Sequence, residues 1–110
     1  MISTEQWATI RGLVAWLDSE NGRSDTEIGL RILKLTEEAG EVAQAWIGAV
    51  GQNPRKGVTH SRHDVADELC DVIVTAAVAL ASIVRDPAEH LDTKLATIAG
   101  RPRTPEQDAA

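Results

Sequence analysis

Glu37-Glu38-Ala39-Gly40-Glu41 and Glu68-Leu69-Cys70-Asp71 are two acidic clusters inside the otherwise apolar helical pattern of Leu35 to Leu80, and their reading decides the fold. A helix turns ~100° per residue, so Glu38 and Glu41 project within ~60° of each other, as do Glu68 and Asp71. Each of two helices therefore offers a pair of carboxylates pointing one way. On the first, Ile28, Ile32, Leu35, Ala39, Val42, Trp46 and Ala49 form an apolar stripe, with Glu38 beside its edge and Glu41 further round. The expectation is acids at the margin of a core. Carboxylates gathered there repel one another and lose hydration, which is unfavourable unless they are protonated or a cation sits among them. Oxygen-only ligands favour Mg²⁺ or Mn²⁺, and the absence of a nearby Cys pair or Glu-x-x-His argues against zinc and di-iron chemistry. Either half alone equally fits a solvated helix face; only the combination is specific.

Outward from these clusters the chain reads as four helices. Ser3 or Thr4 caps a first helix to about Ser19, with Trp7, Ile10, Val14 and Leu17 on one face. Ser24-Asp25-Thr26-Glu27 reads as a capping box opening the second helix. Gly40 within that helix implies either a closely approaching backbone, the favoured reading, or room left beside the acids. The stretch from Gly48 to His60 is a loop on its Gly, Asn and Pro content and does not match a P-loop. Arg55, Lys56 and Arg62, with His60 and His63, place positive charge beside the start of the third helix, whose free amides favour anions. Loop solubility accounts for the same residues, but next to a metal site they suggest phosphate binding.

Thr59 or Ser61 caps the third helix, on which Asp64, Glu68 and Asp71 share a sector opposite Val65, Leu69, Val72, Ile73, Ala76, Leu80 and Ile83. From Val72 to Val84 it is apolar nearly all round, which calls for a second copy of the chain to cover it, as a homodimer or larger assembly. Asp86-Pro87-Ala88-Glu89 opens a fourth helix with Leu91, Leu95 and Ile98 as its buried side. One all-α, four-helix bundle-like domain over residues 1–100 is expected, followed by a tail at 101–110 with no apolar content to hold it.

Composition sets the limits. In 110 residues, 43% apolar with no Tyr or Phe, a single aliphatic core is feasible and favours helices. A formal charge of -6 speaks against a nucleic-acid polymer as partner. Cys70, the only cysteine, excludes a disulfide framework and is expected as a small buried thiol. No membrane-targeting segment is evident at the N-terminus, and a reducing cytoplasm fits.

The double motif, Glu-Glu-x-x-Glu at Glu37, Glu38 and Glu41 and Glu-x-x-Asp at Glu68 and Asp71, resembles that of the MazG-like all-α nucleoside triphosphate pyrophosphohydrolases, over most of the chain from Leu30 to Arg101. The resemblance implies Mg²⁺-dependent hydrolysis of an NTP or dNTP between the α and β phosphates, in a homodimer or homotetramer, as in nucleotide-pool housecleaning. It implies Glu38, Glu41, Glu68 and Asp71 as metal ligands and Glu37 as a further acid that orients or activates water. It also implies Lys34, Lys94 and Arg101 as phosphate contacts. Related members act on dUTP or phosphoribosyl-ATP, substrates this chain does not exclude. A non-catalytic helical interaction module, its acids mere surface decoration, is the reading from another class.

Overall fold

The structure is a computed structural model that describes residues 1–102. It contains four helices, α1 (Thr4–Asn21), α2 (Asp25–Val50), α3 (Arg62–Ile83) and α4 (Pro87–Ala99), and no strand among the described residues. The part of the tail from 103 onward lies outside them.

Local chemistry fixes the helix ends. Ser3 caps α1 in a reciprocal box: the Gln6 amide donates to the Ser3 hydroxyl at 3.1 Å, and the Gln6 side chain accepts from the Ser3 amide at 2.8 Å. Ser61 and Asp64 repeat the arrangement at α3. At α2 only half of the expected box forms. Ser24 accepts from the Glu27 amide, but the Glu27 carboxylate accepts instead from Arg31 Nε at 2.6 Å, because a guanidinium is the stronger partner. Asp86 caps α4, with Pro87 at its first position. Gly51, in the left-handed region at φ 65°, ends α2, and the Thr59 amide then returns to the Gly48 carbonyl at 3.0 Å. A Cβ on Gly48 would collide with the side chains of His60 and Thr59, so this return requires glycine.

The α2–α3 hairpin is antiparallel, since Arg31 meets Ser82 at one end and Gly48 meets Thr59 at the other. Helix α1 lies on α3 through Trp7 and Ile10 against Ala77, joined by Val78, Leu80, Ala88 and Leu91. The radius of gyration is 17.7 Å, against about 13 Å for a compact chain of this length, so the array is open. No large side chain is completely buried among the described residues.

Several expected core positions are instead on the surface. Ile32 and Trp46 of the α2 stripe are exposed, and the face turned to α3 runs through Arg31, Glu38, Ala45 and Gly48. A helix this apolar has more than one face able to pack, and polar ties to α3 choose among them. Leu69, Ile73 and Ile83 of α3 are exposed for the same reason, its buried face carrying the smaller Ala77, Ala79 and Ser82. Cys70 is exposed rather than buried, because it shares the outward side of Ala66, Ile73 and Val74. On α4, Leu95 and Ile98 are exposed, since that helix reaches the core only through Pro87, Ala88 and Leu91.

A buried cation locks one end of the array. Arg31, 5% exposed, donates to Glu27, to Asp18 Oδ1 and Ser82 Oγ at 3.0 and 3.1 Å, and to the Gly22 carbonyl at 3.0 Å. Arg23 adds bonds to Asp18 and to the Ser82 carbonyl at 2.7 and 2.6 Å. Three helices and a turn thus converge on one guanidinium, which nothing in the apolar periodicity reveals.

Candidate metal centre

Glu38, Glu41, Glu68 and Asp71 come together midway along the hairpin, each offering an oxygen within 4.8 Å of the others. The i, i+3 spacing on each helix aims each pair across the α2–α3 seam. Glu38 is buried, Glu41 and Glu68 are half-buried, and Asp71 is exposed, so the cluster opens to solvent on the Asp71 side. Glu38 does not border the packed face, as the stripe had suggested, but lies within it at 8% exposure.

Electrostatically the cluster is unsatisfied. Glu38 Oε2 and Glu68 Oε2 are buried without a hydrogen-bond partner among the described residues, a costly condition for an oxygen that carries charge. The charge on Glu38, the approach of the Glu68 carboxyl and desolvation together push the Glu41 carboxyl above its ordinary range. Among the described residues only Glu38 has a cation at hand: its Oε1 lies 3.3 Å from Lys34 Nζ, one turn earlier on α2. This contact, helped by the charges of Glu37 and Glu38, raises the Lys34 ammonium above its usual range. Two buried oxygens facing further carboxylates fit a hard divalent cation, and these four residues could hold one.

The neighbours sort clearly. Nothing lies within 4 Å of a Cβ built on Gly40 among the described residues, so room beside the acids replaces the favoured close-packing reading. Glu37 is exposed and belongs to the motif without joining the four clustered oxygens. Asp64 is held by the α3 cap, where hydrogen bonds from Ser61 keep its carboxyl below the usual range.

Of the expected phosphate contacts, Lys34 alone touches the cluster. Arg62 stacks over the Trp46 ring at 4.9 Å from its centroid, and its Cα begins α3 about 9 Å along the axis from Glu68. Lys56 lines a cleft of about 330 Å³ at the far end of the hairpin with Asn53, Thr59 and His60, and Arg55 is in the same loop. Lys94 lines a third region with Asp86, Glu89 and His90 on α4, and Arg101 follows that helix. Within one chain these groups are not gathered at the four carboxylates.

A larger cleft of about 500 Å³ opens between α1, α2 and α3, walled by Leu13, Trp16, Leu30, Val74 and Val78 and edged by Arg31 and Lys34. The sequence reading missed it. Its signal was that Leu13, Trp16, Leu30, Val74 and Val78 all fall off the apolar stripes assigned to a core. Lys34 borders both this cleft and the acidic cluster. Comparison with protein families, curated proteins and solved structures finds no match.

Proposed function

We propose that this chain is a Mg²⁺-dependent nucleoside triphosphate pyrophosphohydrolase that cleaves between the α and β phosphates, releasing a nucleoside monophosphate and pyrophosphate. The observation that carries the reading is the pair of buried, unpartnered oxygens of Glu38 and Glu68 inside a cluster of four carboxylates. Glu38, Glu41, Glu68 and Asp71 would hold the ion, Mg²⁺ or Mn²⁺ by the hardness of the donors. When bound, such an ion supplies charge neutralisation on the polyphosphate and activation of water for attack at phosphorus. Glu37, exposed beside the cluster, would orient that water. Lys34 would meet a phosphate oxygen, and Arg55, Lys56 and Arg62 would steer the polyanion from the loop.

The same reading includes assembly into a homodimer or homotetramer. Large apolar side chains are left exposed, Ile73 at 58% and Leu33 at 63% among them, and the open array leaves space for a second copy to complete a bundle. Assembly would also offer a route for Lys94 and Arg101 to a neighbouring copy's site.

The test is incubation of the purified chain with Mg²⁺ and each NTP, dNTP, dUTP and phosphoribosyl-ATP, followed by chromatography of products. Pyrophosphate with a monophosphate is expected. Orthophosphate with a diphosphate would move cleavage to the β-γ bond, and no product from any substrate would leave the exposed apolar faces as the mark of an interaction module.

A further inference from the structure

Lys34 occupies the boundary between two features that differ in chemistry. On one side are four carboxylates; on the other is the 500 Å³ cleft with its apolar walls. The cleft's other cation, Arg31, has its donors committed to Glu27, Asp18, Ser82 and the Gly22 carbonyl and is buried. The adjustable positive charge of the cleft is therefore Lys34, whose side chain is 54% exposed on a flexible four-carbon stem. Its ammonium bonds Glu38 Oε1, while Oε2 of the same carboxylate is buried in the cluster.

A divalent ion among these acids would sit about 5–6 Å from that ammonium, given the 3.3 Å Lys34–Glu38 separation and a metal–oxygen distance near 2.1 Å. The two cations would repel each other while drawing on one carboxylate. We propose that Lys34 opposes divalent-ion binding at Glu38 and, when the ion binds, turns its ammonium to the anionic end of an organic ligand in the adjoining cleft, so that ion and anion bind cooperatively. This rests on the metal reading above. The ligand class follows from the walls: an apolar or flat body against Trp16 and Leu30, with an anionic group at the Lys34 end. By linkage, each ligand then favours the other.

Calorimetric titration of the full chain with Mn²⁺ alone tests the first half. Repulsion between a unit and a double charge at this separation makes Lys34→Met bind Mn²⁺ about threefold more tightly at physiological salt and up to about tenfold at low salt. Lys34→Arg, which keeps the charge, should match the parent. Equal or weaker binding by Lys34→Met overturns the proposal, as does Lys34→Arg tightening to the same degree. A parent that binds no Mn²⁺ removes the metal reading as well, whereas a parent that binds without tightening in Lys34→Met removes this inference alone. For the second half, inorganic phosphate at saturating Mg²⁺ should bind Lys34→Met about three- to tenfold more weakly than the parent. Equal phosphate binding refutes the turn toward the cleft.

Discussion

Charge repulsion among four acids gives Glu41 an effect on stability that reverses with conditions. With divalent ions chelated, Glu41→Gln removes a carboxyl that Glu38 and Glu68 already disfavour in its charged form, so the melting temperature should rise. In Mg²⁺ the parent should gain stability by ligand linkage and the variant should gain much less. Thermal denaturation in both buffers checks this, and a variant less stable than its parent in chelator would contradict it. Arg31 is the opposite case. Arg31→Met strands Glu27, leaves Asp18 with Arg23 alone, and should cost about 3 kcal/mol, more than about 10 °C in Tm. Its partner sets an acid limit. Desolvation pushes the Asp18 carboxyl up, but hydrogen bonds and charge from Arg23 and Arg31 outweigh it and hold the group below its ordinary range. That stabilisation is complete above the ordinary carboxylate pKa and is lost as pH falls through the depressed value. Asp18→Asn should therefore lower stability at neutral pH and flatten its loss in acid, as read by denaturant titrations across pH. At this scale the acids were legible, because i, i+3 spacing on a helix fixes a common direction. Arg31 was not, because of its partners only Glu27 is a neighbour on the same helix, while Asp18 and Ser82 lie 13 and 51 residues away.

Helix ends were the most legible elements, since capping depends on residues three apart, and Ser24, Ser61 and Asp86 cap where the pattern places them. Helix faces were less so. Periodicity shows that α2 and α3 are apolar on a wide arc, but polar ties such as Arg31–Ser82 select the part that packs inward. Glycine separates the two situations. Gly40→Ala meets open space in a helix interior and should stabilise by roughly 0.5–1 kcal/mol, whereas Gly48→Ala must displace His60 and Thr59 and should destabilise. Denaturant midpoints of the pair decide this, and a destabilising Gly40→Ala would restore the close-packing reading.

For the whole molecule, four helices and the absence of a membrane-crossing helix among the described residues agree with the sequence, while the degree of openness could not be read from it. Openness depends on which apolar faces one chain keeps for itself. If copies associate, light scattering at micromolar concentration should report a dimer or tetramer, and Ile73→Glu, on the exposed side of α3, should shift it toward monomer with little change in helicity. A monomeric parent would contradict the assembly.

The hairpin is tied at both ends, by Arg31 to Ser82 and by the Thr59 amide to the Gly48 carbonyl, and the acids of α2 lie about 10–15 Å from either tie along that helix. Mutual repulsion therefore cannot be relieved by the helices swinging apart. A span fixed in this way suits one metal–oxygen distance better than others, near 2.1 Å for Mg²⁺ and longer for Ca²⁺. If the four acids hold an ion, the two ties would favour the smaller one, and loosening either, by Arg31→Met or by Gly48→Ala, would let the larger ion compete.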